Sequence, residues 1–290
     1  MLSHYQRFGS FDEHLVSLYS LAYGNPYIYK DTYLVYYDKH SRILYLSLFE
    51  LRGVENKLKC IQTAAKLFKP EKLIVTSPEE LPSSIEKFHC EKADYDKDYQ
   101  IYIPDFDITL KGGKFKQLRY RVHNAEKRSY NLKIDKSLTP AHFHIIAQHE
   151  QSKKLDLYDN QLYLSIWEYL QKFKSPLVFS VFSKGILIGF DLVDFFNDTM
   201  TIPLGFYTDA PSLADLILFK EILYAKQKQY TWLDLGWACN SGVEEFKKKW
   251  TAIPRFRIWA YEYVKDKNYN TPSFVAETAM VHQVSMKTTA

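Results

Sequence analysis

The chain has 290 residues, 46% of them hydrophobic and 25% charged, with 23 Tyr and 19 Phe. That is a globular composition, long enough for two small domains and with enough apolar material for a real core. The cysteines Cys60, Cys90 and Cys239 are odd in number and far apart, which excludes both a disulfide framework and a zinc motif and fits a reducing cytoplasm. The start, MLSHYQRFGSFDEH, lacks a long apolar run, and no stretch of 18 apolar residues exists, so neither a signal peptide nor a membrane span is expected.

In chain order, YIYKDTYLVYYD (27–38) and RILYLSLFEL (42–51) read as strands, with a turn around Lys39-His40-Ser41. Aromatics suit half-buried pleated surfaces, which accounts for part of the tyrosine content. Residues 54–69 place Leu58, Ile61, Ala65 and Phe68 at helical spacing, and Pro70 ends that helix. KLIVTS (72–77) is a short strand, Pro78 and Glu79 open a second short helix, and YQIYIP (99–104) is another strand, giving β-β-α-β-α-β. Gly112-Gly113 breaks the chain, and the expected division is 1–108, 109–266 and a tail, 267–290, that is mobile or docks elsewhere.

The formal net charge is +4 but uneven: residues 111–136 hold nine basic and two acidic residues. Within this stretch Phe115, Leu118, Val122 and Ala125 form an apolar helical stripe. NLKID (131–135) is a strand, and 139–154 and 160–173 are helices. PLVFSVFS (176–183), ILIGFDLVDFF (186–196) and TMTIPLGFY (199–207) are successive strands, with turn signals at Lys184-Gly185 and Asn197-Asp198. Pro211 takes the first helical position of SLADLILFKEILYAKQKQY (212–230). WLDLG (232–236) and FRIWAYEYV (256–264) are the remaining strands.

The chemistry concentrates in LDLGWACNSGVEEFKKKW (233–250). A strand ending in Gly236 and followed by a short helix leaves backbone N–H groups free for an anion or oxyanion; the same residues also fit an ordinary Ser- or Asn-capped turn. Glu244 and Glu245 lie four residues before Lys248 and Lys249 and pair with them on the surface. Lys247 instead edges onto the stripe of Val243, Phe246 and Trp250, and is expected to point its charge into a cleft. A second helix start, at Pro211-Ser212 after Tyr207 and Asp209, is either an anion site or a helix capped by Asp209. Lys116, Arg119 and Arg121 on the basic helix either grip phosphates or solvate it. His142, His144 and His149 do not share one helix face, so no metal site is expected. Cys239 has no histidine near it in sequence and reads as a loop residue rather than a nucleophile. No G-x-S-x-G, Walker or Rossmann glycine pattern is present.

The element order of the second half resembles the GNAT acyltransferase fold, and in particular its Fem-type and phosphatidylglycerol-lysyltransferase-like branch, which often pairs two GNAT-like halves. The resemblance rests on KFKQLRYRVHNAEKRSYNLKI (114–134), on SLADLILFKEILYAKQKQYTWLDLG (212–236) and on SGVEEFKKKW (241–250), which are similar to the branch's basic entry helix, its "hydrophobic-D-hydrophobic-G" strand and its "G-x-x-x-F-K" signature. It covers about the last 180 residues; the first half fits by topology alone.

The implied fold class is α/β (α+β), with two GNAT-like mixed-sheet halves, the first smaller and degenerate. The implied activity is N-acyl transfer from an activated thioester, acyl-CoA or acyl-carrier protein, to an amine on a small molecule, lipid or peptide. The donor is a co-substrate, no cofactor is permanently bound, and neither DNA nor a metal takes part. An aminoacyl-tRNA-dependent transferase and a catalytically inactive GNAT-like binding protein are the alternatives. The F-K lysine of the signature falls on Lys247, expected to stabilise an oxyanion together with the backbone of 238–242. Tyr207 or Asp209 is expected to move a proton. Ser212, Gly236, Trp237, Asn240, Ser241 and Gly242 are expected to bind the donor. The glycine loop that acetyl-CoA-using members place before the helix is replaced here by Phe206-Tyr207-Thr208-Asp209-Ala210-Pro211-Ser212, which puts ordinary acetyl-CoA binding in question.

Overall fold

A chain that alternates short apolar strands with amphipathic helices has to cover its sheets with those helices. The computed structural model of the chain, which describes residues 27–29, 33–48, 53–153 and 162–266, does so in two compact units. Among the described residues, one unit takes 27–96 and 257–266 and the other takes 97–256. The expected tail, residues 30–32, the end of the second expected strand and residues 154–161 lie outside the described residues.

In the first unit, strands β1 (Tyr27–Tyr29), β2 (Tyr33–Asp38) and β3 (Ile43–Ser47) pair antiparallel. The turn between β2 and β3 is held by Asp38, whose carboxylate accepts from the His40 N–H at 2.9 Å and from the Ser41 hydroxyl. Helix α1 (Val54–Phe68) then crosses over to β4 (Lys72–Ser77), which runs parallel to β3. Its sheet-facing residues Ile61, Ala64 and Ala65 pack with Leu44, Leu46, Leu73 and Val75. The helix ends in a left-handed Lys69 whose N–H returns to the Ala65 carbonyl, one residue before Pro70.

The short helix expected from Pro78 is absent. Residues 78–83 form an irregular connection instead, because Pro82 denies a helix its backbone donor there. The Tyr261 hydroxyl accepts from the Leu81 N–H at 2.7 Å, and the Tyr263 hydroxyl donates to the Pro82 carbonyl at 2.8 Å. Both tyrosines belong to β12 (Ile253–Lys265), which pairs antiparallel with β4. After β5 (Ser84–Ile85) comes β6 (Phe88–Tyr102), far longer than the expected strand at 99–104. Its polar middle, EKADYDKD (91–98), has no apolar alternation to reveal it.

After the end of β6, the second unit continues with a 3-10 turn (Gly113–Phe115) and helix α2 (Lys116–Lys127). All four residues of the expected stripe, Phe115, Leu118, Val122 and Ala125, are buried. There follow β7 (Asn131–Asp135), α3 (Pro140–Lys153), α4 (Ile166–Lys172), β8 (Leu177–Ser183), β9 (Ile186–Phe196), β10 (Thr199–Tyr207), α5 (Leu213–Gln227), β11 (Trp232–Trp237) and α6 (Ser241–Lys249). Pro211 stands one residue before the N-cap Ser212 rather than inside α5. The strand order is β6-β11-β10-β9-β8-β7, antiparallel except for the β10–β11 pair, which α5 connects. Strand β9 is covered on both faces, which explains its nearly continuous apolar run. Phe190 and Leu192 pack with Ile145, Ile166 and Tyr169, while Val193 packs with Leu118 and Ile222 of α2 and α5.

Strands β10 and β11 pair only from Thr199↔Trp232 to Thr201↔Asp234, although both continue for several residues. Each also breaks register with its other neighbour at that level, β10 between Thr201 and Leu204 and β11 between Asp234 and Trp237. Local chemistry supplies the cause. Pro203 has no N–H to give to a ladder, and Gly236 takes a left-handed turn at φ 68°.

Leu118, fully buried on α2, is expected to lose about 2–5 kcal/mol of stability on replacement by alanine. Tyr120→Ala, at a position 69% exposed two residues on, is expected to leave the denaturant midpoint unchanged.

Candidate active site

The opening between β10 and β11 is walled by half-buried residues, Ile202 to Gly205 on one arm and Leu235 to Trp237 on the other. At its base the register places Asp194, Thr201, Asp234 and Gln100 side by side across β9, β10, β11 and β6, and all four are buried. Asp194 is satisfied by the Tyr169 hydroxyl and the Phe195 N–H. Asp234 accepts the Gly236 N–H at 2.8 Å. Burial pushes the Asp234 carboxyl up from its ordinary range, while the Gly236 N–H, the Lys247 and Arg255 charges and a hydrogen bond with Asp98 pull the other way.

Lys247 is buried, as its place beside the stripe requires, but its ammonium does not project freely into the opening. It donates to the Gly236 carbonyl at 2.8 Å and to the Trp237 carbonyl, tying α6 to the end of β11. The loop N–H groups are also partly engaged. Ala238 donates to the Lys97 carbonyl at 3.2 Å and Asn240 to the Ala238 carbonyl at 2.6 Å. Asn240 caps α6, its side chain accepting the Val243 N–H at 3.0 Å. Ser241 and Gly242 supply the first two helical N–H groups, which no helix satisfies internally.

At the start of α5, Ser212 adopts a left-handed conformation at φ 61° and makes no side-chain cap, and Asp209 is exposed rather than capping. The anchoring acid is Asp215, which the sequence reading did not single out. Buried in the first turn, it accepts from Lys249 at 2.7 Å, from the Trp250 indole at 3.0 Å and from Arg121 at 3.3 Å. Lys248 pairs with Glu244 at 2.8 Å as expected, but Lys249 turns to Asp215 instead of Glu245 because it stands at the end of α6 beside the buried Trp250. Glu244 is held down at about 2 by hydrogen bonds from Lys248 and the Tyr99 hydroxyl and by the Lys97 charge.

The basic helix is divided in the same way. Arg121 faces Asp215, and Arg119 donates to the carbonyls of Leu110 and Gly112, at 2.9 Å in the second case, so both guanidiniums hold structure. Lys116 is exposed beside Tyr120 and His123 in an open groove of about 510 Å³. The three histidines of 142–149 have separate partners. His142 Nε2 meets the Ser180 hydroxyl at 2.9 Å, His144 meets Gln148, and His149 packs edge-on to Phe206.

Behind β10 lies a second acid cluster missed by the sequence reading. The Tyr207 hydroxyl donates to Asp191 of β9, and Glu221 of α5 stands beside Asp191 with neither oxygen in a well-formed hydrogen bond. Burial lifts Asp191 to about 7, against the hydrogen bond from Tyr207 and the pull of the adjacent Glu221 carboxyl. Burial, then the neighbouring Asp191, lifts Glu221 well above its ordinary range. Leaving a carboxyl buried without a good partner costs roughly 1–3 kcal/mol. The only sequence signal was a charge inside an apolar run, FDL in ILIGFDLVDFF and KEI in LADLILFKEILYA.

No protein-family model matches the sequence, and no curated protein matches it. Solved structures do match its fold. A tandem GNAT protein from the clavulanic acid biosynthesis pathway superposes with a TM-score of 0.57 at 11% identity, over 82% of this chain and 79% of that one. The L-PGS structure from Bacillus licheniformis gives 0.55 at 15% identity, over 91% and 90%. FemX gives 0.54 at 10% identity, over 91% and 95%. The fold is α/β with a large mixed sheet, similar to the GNAT-type proteins of the Fem-type and lysylphosphatidylglycerol-synthetase-like branch. Among the described residues, no helix is long and apolar enough to cross a membrane.

Asp215→Ala strands two cations and an indole N–H, and is expected to lower stability by about 3–5 kcal/mol in denaturant titration. Asp191 has a second consequence. Its carboxyl is lifted from 3.8 to about 7 by burial, so the folded state prefers the protonated form. Its stabilising contribution is complete below the unfolded value and fades as pH rises through the folded one. Denaturant midpoints measured across that window are expected to fall in the native protein and to fall less steeply in Asp191→Asn, where Glu221 alone remains.

Proposed function

We propose that the chain transfers an acyl group from a thioester donor, acyl-CoA or an acyl-carrier protein, to an amine. The observation that carries this reading is the parting of β10 and β11. Past Thr201 and Asp234 each arm has backbone groups that its partner does not use, the arrangement an extended carrier arm can join as a short strand. Similarity to a tandem GNAT protein supports it at the level of fold. The donor is a co-substrate, with Gly236, Trp237 and the 240–242 turn on one arm and Ser212 beyond the other. The exposed Asp209 and the uncapped Ser212 stand where a pyrophosphate loop would need glycines, which favours donors that do not rely on that contact.

In this reading Lys247 acts from beneath the loop. Two of its three N–H groups hold the Gly236 and Trp237 carbonyls, so the α6 N-terminus stays at the β11 arm and a positive charge lies under the reacting carbonyl. Tyr207 is better prepared than Asp209 for proton transfer, because its hydroxyl already meets a carboxylate.

A second reading, with aminoacyl-tRNA as donor, is favoured by one observation. Lys116, Tyr120, His123 and Lys127 line one exposed face of α2, a basic surface with an aromatic for phosphate and base contact. Similarity to FemX and to the C-terminal domain of a putative lysylphosphatidylglycerol synthetase from Agrobacterium fabrum agrees with it.

Lys247→Met is expected to lower kcat with an acyl thioester and an amine by about 10²-fold. Unchanged kcat would remove the lysine from the mechanism. Filter binding to tRNA separates the two donors: the thioester reading expects weak binding, and the second reading expects tight binding that collapses between about 50 and 200 mM salt.

A further inference from the structure

Three side chains from three elements converge behind β10, and the chain has cleared room for them. Gly205 faces Asp191 across the β9–β10 ladder. A Cβ at that position would lie 2.4 Å from an Asp191 carboxyl oxygen and 2.6 Å from the Tyr207 hydroxyl. The glycine is therefore required by the pair that covers it. Glu221 reaches the same place from α5, fully buried.

Among the described residues, the surroundings bring no compensating cation. Tyr207 of β10 and Glu221 of α5 are the groups that act on Asp191. The residue opposite it on β8 is Phe179, and α5 contributes Ile217, Leu218 and Ile222 nearby in sequence to Glu221. The lysine adjacent in α5, Lys220, is occupied outside, with Glu126 at 3.2 Å. Two carboxyl groups in such a place cannot both ionise cheaply, so they keep a proton between them. Tyr207 is the one member with exposed surface. Its residue is 38% exposed at the open end of the β10 arm, while its hydroxyl turns inward to Asp191.

We infer that Asp191 and Glu221 hold a shared proton behind β10 and exchange it with the groove through the Tyr207 hydroxyl. As a step in catalysis this rests on the transferase reading given above. An acceptor ammonium loses a proton to the Tyr207 oxygen as Tyr207 passes its own proton to the Asp191 carboxylate. The freed nitrogen lone pair forms the C–N bond, the carbonyl π pair moves to oxygen, and the nitrogen, now positive, gives up its second proton to water. When the intermediate collapses, the carbon–sulfur bond breaks with its pair on sulfur, and the proton returns from Asp191 through Tyr207 to the thiolate. Tyr207 is the catalytic residue of this relay; Asp191 and Glu221 act through it. Burial holds Asp191 near neutrality, which suits a group that must both take and return a proton.

The test of the proton store needs no substrate. In infrared spectra of the full chain near neutral pH, a buried protonated carboxyl band is expected, shifted or lost in both Asp191→Asn and Glu221→Gln. On transfer to heavy water, Tyr207→Phe, which keeps the ring and its packing, is expected to slow exchange of that proton at least about fivefold, the scale of one lost hydrogen bond. A band absent from the native protein, a band untouched by both carboxyl substitutions, or exchange as fast in Tyr207→Phe as in the native protein would each overturn the inference. Rate profiles with an acyl thioester and an amine then separate the two claims. A native limb near neutral pH that disappears in Asp191→Asn supports the relay. Turnover whose profile is the same in Asp191→Asn removes the relay and leaves the transferase reading intact. Failure of the native protein to turn over, with the infrared result as expected, removes the transferase reading and leaves the proton store.

Discussion

The parting of two parallel strands governs the rest of this molecule. β10 and β11 hold together only as far as Thr201 and Asp234, and from there each arm has to be stabilised by something other than its neighbour. A backbone that leaves a ladder exposes donors and acceptors that need other partners or water. Pro203 lowers that demand on one arm by having no donor. On the other, Gly236 turns left-handed so that its N–H can reach the Asp234 carboxylate and its carbonyl can reach Lys247.

Buried charge then fixes each arm to a helix. Asp215 draws α2, α5 and the end of α6 together through Arg121, Lys249 and Trp250. Lys247 draws α6 onto β11, while Glu221 of α5 lies over Asp191 without holding it. These contacts differ in character. The Asp215 cluster is compensated by cations and serves cohesion. Among the described residues the Asp191–Glu221 pair meets no cation, so the fold carries it at a loss of stability; a group kept on those terms is a stronger pointer to chemistry than one that is well paired.

Much of the architecture was legible in the sequence because the elements are short and strongly periodic. Strands 72–77, 131–135, 186–196 and 199–207 fall where alternation and turn residues put them, and the 115-118-122-125 stripe is buried as its spacing demands. What was hidden had a different cause. The long strand β6 is polar through its middle, and the connection from Pro78 is held by tyrosine hydroxyls from β12, nearly two hundred residues away in sequence. Neither fact is local. The candidate site divides likewise. Lys247 stood out by its place on the α6 stripe, but its carbonyl partners depend on how α6 packs back on β11. Arg119 and Arg121 looked like phosphate-gripping or solvating cations and Lys249 like the partner of Glu245, until folding supplied Leu110, Gly112 and Asp215. Asp191 and Glu221 were single charges in apolar runs, meaningful only once β9 and α5 face each other.

As the proposed transferase, the protein would receive an acyl carrier arm in the opening between β10 and β11. Amide chemical-shift mapping with a non-hydrolysable acyl-pantetheine thioether tests it most directly. The largest perturbations are expected on Ile202, Leu204 to Tyr207 and Leu235 to Trp237, along both arms and beyond the last paired residues. Perturbations confined to other surfaces, or none at saturating ligand, would contradict it.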